Sequence, residues 1–369
     1  MLSYRHAFHA GNHADVLKHL ILVQLLRYMV QKDKPFLVVD THAGAGGYSL
    51  ESDYATKLGE FAGGIGRLWQ RKDLPEAVAA YVDLVRRFNR NDRLRFYPGS
   101  PWISWQLLRP QDRMRVFELH STDSPLLAKT LAEGKQQIQI TAGDGFAGLR
   151  AALPPPSRRG LVLIDPSYEL KSDYHDVVQA VQEGLVRFAT GTFAIWYPLV
   201  AKVEAHRLPE KLAHLPAHRW LNVTLSVHKP ANDGFGMAGS GMFIVNPPYT
   251  LETTLRETLP WLTQALAQDD HAQFTLEGGE NPVPTARKAR PDEYSLEATP
   301  PRQAPVGAKP GAPRRPPIHP FAFPGAKAEE GRGPKRPAAP GRSGAKPGTS
   351  EAKPRPRSQG PATNSRKKP

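Results

Sequence analysis

A β-branched run that ends in an acid and breaks at once into glycines, FLVVDTHAGAGGY at residues 36–48, limits this chain more than any other stretch. Asp40, Gly44 and Gly46 give acid-x-x-x-Gly-x-Gly at the carboxyl end of a strand. Glycines there let the backbone turn tightly and approach a ligand closely. Further short apolar runs follow at 114–119, 138–141, 161–165, 192–197, 221–228 and 241–246, separated by helical patterns. That alternation predicts a mostly parallel sheet of seven strands with helices on both faces. The last two runs are joined by a Gly- and Asn-rich loop too short for a crossover helix. They are expected to pair as an antiparallel hairpin at one edge. Between the first two strands, LPEAVAAYVDLVRRF sets Val78, Tyr81, Val82, Val85 and Phe88 at helical spacing, which predicts a small helical insertion over about 51–97.

The glycine turn alone suits dinucleotides, flavins and S-adenosylmethionine equally. The later strands narrow the choice, because each also ends in or near an acid: Glu118, then Asp144-Gly145, then Asp165. In an open α/β sheet, ligands bind outside the carboxyl ends of the strands at the topological switch point. Four acids in one crevice can hold two ribose hydroxyls, an adenine amino group and a substrate, so S-adenosylmethionine is the expected cofactor.

The N-terminal YRHAFHAGNHADVLKH, the turn DTHAGAGGY, YPGSP, AGDGF and RRGLVLIDPSYE together resemble the RlmJ family, bacterial 23S ribosomal RNA adenine-N6 methyltransferases. The likeness spans roughly residues 1–265 and not the tail. It implies a Rossmann-like class I S-adenosylmethionine-dependent methyltransferase fold, and adenine 2030 of protein-free 23S rRNA as the target. It also implies roles. His19, His42 and Ser100 would hold the amino-acid end of the cofactor, Glu118 its ribose, and Asp144 with the Gly145 backbone its adenine. Tyr4 would meet the RNA, a tyrosine ring being a suitable stacking surface for a base. Lys18 lies in the shared segment without an assigned role.

Two stretches compete for the catalytic turn. DPSY at 165–168 has Ser167 where the amino-methylating signature has a second proline, and NPPY at 246–249 matches by letter. An adenine amino group is a poor nucleophile. The enzyme must accept its hydrogen bonds and aim it at the methyl group, with the base out of its stack. Asp165 and the Pro166 carbonyl supply acceptors and Tyr168 an aromatic surface. Ser167 relaxes the turn at a cost of about 0.4–1 kcal/mol without removing an acceptor. Asn246 ends the strand expected to be antiparallel, which places NPPY at the wrong edge of the sheet. Two rival readings remain: an amino-methyltransferase acting on DNA adenine or protein glutamine, and an RNA-binding protein that Ser167 has silenced.

Charge is segregated. Residues 281–369 hold 19 Lys and Arg against 6 Asp and Glu, and 20 of the 37 prolines, whereas the preceding 280 residues are nearly balanced. A segment so poor in aliphatics cannot offset its ordering entropy and is expected to be disordered, with polyproline stretches such as PRRPPIHP. It would act either as a solubilising tail or as an electrostatic arm for polyanions. Nearer the fold, RRFNRNDRLRFYPGS sets Arg86, Arg87, Arg90, Arg93 and Arg95 among Phe88, Phe96 and Tyr97, which suits phosphate and base contacts or, equally, a solvated helix end. The chain has no cysteine, which excludes disulfides and thiolate chemistry. His6, His9, His13 and His19 lack a completing ligand set, so no metal is expected. The N-terminus has no continuous apolar core and no run is long enough to span a bilayer. A cytoplasmic monomer that binds 23S rRNA and no membrane is the expected form.

Overall fold

The structure is a computed structural model and describes residues 6–89, 92–230 and 236–281. Tyr4, Arg90 and the basic tail beyond Asn281 lie outside the described residues.

The central strands form because their side chains are apolar on both faces, the signature of a sheet covered on two sides. β1 (Leu37–Asp40), β6 (Gly160–Ile164) and β9 (Gly239–Val245) are buried at every position. With β4 (Arg113–Glu118), β5 (Ile138–Ala142), β7 (Thr192–Leu199), β8 (Arg219–Ser226) and β10 (Gln273–Glu280) they make one sheet in the order β10-β8-β9-β7-β6-β1-β4-β5. β5, β4, β1, β6 and β7 run parallel, and β9 runs antiparallel to both β7 and β8. The expected hairpin of the last two predicted strands is therefore present, but it does not form the edge.

The sheet has eight strands rather than seven. β10 covers β8 in antiparallel register, from Gln273 opposite Ser226 to Glu280 opposite Arg219. In its sequence QFTLEGGE only Phe274 and Leu276 alternate with polar residues before two glycines, so the apolar signal of a strand is short and weak. Pairing supplies what propensity does not, and the polar outer side suits an exposed edge.

α1 (His13–Met29) has 14 buried residues, because it is packed against β7 and β9 on one side and the insertion on the other. Asn12 caps it, accepting from the Ala14 and Asp15 amides. The insertion comprises an antiparallel two-stranded pair, β2 (Gly47–Ser49) and β3 (Phe96–Pro98), and, between them, α2 (Asp53–Leu58), α3 (Ile65–Trp69) and α4 (Glu76–Asn89). Short helices α5 (Ser100–Gln106), α6 (Asp123–Thr130) and α7 (Gly145–Ala152) follow. α7, α8 (Lys171–Arg187) and α9 (Val203–Ala213) bury one sheet face, and α1, α4 and α10 (Leu251–Leu266) the other. Among the described residues no helix is long and apolar enough to cross a membrane.

Candidate active site

Neighbouring parallel strands β6, β1, β4 and β5 end on the same side of the sheet, so their acids converge. From β1 the chain moves first to one neighbour and later to the other, which makes the gap above β1 and β6 the topological switch point. Asp40 ends β1, Glu118 ends β4, Asp144 follows β5 and Asp165 follows β6.

The turn after β1 is built on glycine. Gly44 has φ +59°, and a Cβ there would lie 2.2 Å from the Tyr48 hydroxyl. Its amide donates to Glu118 Oε2 at 2.7 Å, and the His120 amide donates to Oε1 at 2.6 Å. Burial pushes the Glu118 carboxyl up despite these donors. Asp144 caps α7, accepting from the Phe146 amide at 2.8 Å. A Cβ on Gly145 would fall 1.9 Å from the Thr41 carbonyl oxygen, so only glycine brings the α7 N-terminus this close to the β1 turn. His42 lies 2.8 Å from the Thr41 hydroxyl through Nδ1 and meets Phe146 edge-on at 5.0 Å. Burial lowers its pKa to about 4, which leaves the ring neutral.

Ser100 donates its hydroxyl to Asp40 Oδ2 at 2.7 Å, and the His42 amide donates to Oδ1 at 3.3 Å. Asp40 is wholly buried, and burial first, then Asp165, raises its carboxyl to about 7. His19 Nδ1 is 2.8 Å from the Tyr97 hydroxyl, while its Nε2 is buried without a hydrogen-bond partner among the described residues. Burial takes its pKa to about 3.

Lys18, which sequence left without a role, is the cation of the site. It is 4 % exposed, with Nζ 2.6 Å from Asp165 and 2.9 Å from Asp15. Burial alone would lower the ammonium, but the two carboxylates outweigh it and hold Lys18 charged. Asp15 also accepts from the Gly11 amide at 2.8 Å and lies 2.9 Å from His6 Nε2. Burial would raise Asp15, and His6 with Lys18 bring it well below the carboxylate range. Burial pushes Asp165 up, offset only in part by Lys18. Trp196 of β7 stands beside this pair, its ring centre 5.6 Å from Lys18 Nζ. Tyr168 is 2 % exposed, packed on Tyr174 and Trp196, and its hydroxyl donates to the Trp196 carbonyl at 2.6 Å.

NPPY sits elsewhere. Val245 pairs with Phe193 near the start of β7, so Asn246 emerges at the amino ends of the parallel strands, away from Asp165. Its side chain ties down the Ala189 and Gly191 carbonyls at 2.9 and 2.8 Å. The arginine-rich stretch is partly spoken for as well. Arg95 pairs with Glu51 and Arg86 with Asp83, Phe88 packs on Trp102 and Tyr97 is buried. The histidines disperse, His6 to Asp15 within the same N-terminal stretch and His9 to the remote Glu60.

A mostly parallel sheet with β9 and β10 reversed, and acids gathered above its switch point, defines a Rossmann-like methyltransferase fold. The model of the family described as "Ribosomal RNA large subunit methyltransferase D, RlmJ" matches residues 33–277. The chain belongs to that family. Ribosomal RNA large subunit methyltransferase J of Haemophilus influenzae is 48% identical over 278 residues, 75% of this chain and 98% of that protein. Its Escherichia coli namesake is 48% identical over 266 residues, covering 72% and 94%. The crystal structure of protein LPL1258 from Legionella pneumophila superposes with a TM-score of 0.69 at 35% identity, over 73% of this chain and 98% of that one.

Proposed function

We propose that this enzyme methylates the exocyclic N6 of an adenine in 23S rRNA, the family target at position 2030, with S-adenosylmethionine as donor. The observation that carries this reading is the placement of Asp165-Pro166 beside the acid-lined crevice. When bound, the cofactor supplies an electrophilic methyl group on a cationic sulfur.

The residues present fit such a ligand. Glu118 has an acceptor lone pair left on each oxygen for ribose hydroxyls. Asp144, exposed at the N-terminus of α7, and the Gly145 backbone would read the adenine. Among the described residues His19 offers a buried ring nitrogen without a partner, and Asp40 a buried carboxyl with no bonded cation. Asp165 and the Pro166 carbonyl accept hydrogen bonds from the two N6–H groups and hold the nitrogen lone pair toward the methyl group, an orientation effect before all else. Tyr168, expected from the sequence to stack on the base, is instead buried against Tyr174 and Trp196 and braces the turn, so stacking on a base requires its ring to be uncovered first.

A cation entering beside Asp40 favours its ionised form. Below its raised pKa of about 7, binding must expel a proton. Cofactor affinity is therefore expected to fall by up to about tenfold per pH unit on the acid side of neutrality. Titration calorimetry from pH 5.5 to 8 checks this, and Asp40→Asn should flatten the slope.

The function is tested by presenting labelled S-adenosylmethionine with protein-free 23S rRNA, duplex DNA and a glutamine peptide in parallel. N6-methyladenosine in the rRNA alone is the expected product. Label in DNA or peptide and none in rRNA would refute the proposal.

A further inference from the structure

Ser167 removes a restraint from the catalytic turn, and the structure contains a substitute for it. Neither its amide nor its hydroxyl makes a hydrogen bond among the described residues. The next residue, Tyr168, nonetheless holds φ at +53°, a conformation uncommon for a bulky side chain. Such a backbone persists only where its surroundings over-determine it.

Two fastenings do so here, and both come from β7 and the turn that follows it. The Tyr168 hydroxyl donates to the Trp196 carbonyl at 2.6 Å, and Lys202 Nζ donates to the Tyr168 carbonyl at 3.0 Å. Trp196 lies within β7, and Lys202 is the N-cap residue of α9 just after it. β7 is hydrogen-bonded to β6, so the ring and the backbone of the turn are pinned to the strand beside Asp165. Downstream, the Leu170 amide donates to Asp173 at 3.3 Å, which closes the turn onto α8. Lys202 is exposed and its charge also acts on Asp173 and Glu204, but the hydrogen bond its ammonium makes among the described residues is to this one backbone carbonyl.

We propose that Lys202 is a positioning residue. It replaces the stiffness of the missing second proline, keeping Asp165 and the Pro166 carbonyl aimed at the amino group. The inference rests on the reading of DPSY as the acceptor turn.

The test compares the full chain with Lys202→Met, Ser167→Pro and the double variant. It reads methyl transfer to protein-free 23S rRNA and, without substrate, amide hydrogen exchange across residues 165–170. In the native background, Lys202→Met should lower kcat about tenfold, because misaimed groups lose rate steeply, with the KM for RNA unchanged. In the Ser167→Pro background the same change should cost less than about twofold, since the proline already fixes the turn. Lys202→Arg, which keeps a donor, should restore most of the rate. Exchange across 165–170 should quicken in Lys202→Met and return to native rates in the double variant. Equal losses in the two backgrounds, a change confined to the KM for RNA, or no loss at all would overturn the proposal. If the native chain transfers no methyl to rRNA, the functional reading falls and exchange alone decides. Coupled exchange then upholds the Lys202 fastening, and unchanged exchange removes it.

Discussion

Lys18→Met should destabilise the fold by about 3–5 kcal/mol and abolish methyl transfer, the largest effect expected of any single change here. The size follows from what would remain. Asp15 is 1 % exposed and Asp165 little more open, and Lys18 is the ammonium that both share. Without it two carboxylates stay near each other with no shared ammonium; Asp15 keeps His6, so Asp165, already pushed up by burial, is the one that must rise further to reduce the repulsion. The sign of the pH dependence is then fixed. A carboxyl whose folded pKa lies above its unfolded value binds more protons in the folded state, so stability is lost as pH rises through the interval between them. The variant should be closest to native stability near pH 5 and weakest at pH 8. Urea denaturation at the two pH values measures it, and a uniform loss at both would contradict the argument.

Asp165→Ala should do the reverse, leaving the fold intact and stopping the chemistry. Burial already disfavours the charge on Asp165, so its removal relieves desolvation, while Lys18 keeps Asp15 as a partner. Unfolding should therefore shift little. Loss of one preorganised group aimed at the reacting amino group typically costs about 10²–10³ in kcat. Asp165→Asn, which retains an oxygen acceptor, should fall between native and alanine. Cofactor binding should survive, because Asp40, Glu118 and Asp144 remain. Single-turnover kinetics with calorimetric cofactor titration separate these effects. A variant that loses cofactor binding together with rate would place Asp165 in the binding site rather than on the acceptor.

The NPPY and DPSY turns show how far letters alone carry. The signature was complete at 246–249 and damaged at 165–168, yet strand direction decides between them. Asn246 leaves an antiparallel strand at the amino ends of its neighbours, and Asp165 leaves a parallel one at the carboxyl ends. That direction was readable because the loop before β9 is too short for a crossover.

What the sequence determined by itself was the alternation of apolar runs and helices, the glycine turn after β1 and the order of the four acids. These are local or periodic signals, and covalent neighbours set them. β10 escaped because a polar edge strand is made by its partner, not by its composition. Lys18 with Asp165, 147 positions apart, and Lys202 with the Tyr168 carbonyl, 34 apart, were decided only by tertiary structure. No local preference encodes such pairs. They exist because α1 is buried against the sheet beside β7, and because β6 and β7 lie side by side, so that charges and carbonyls remote in the chain are brought within hydrogen-bond reach.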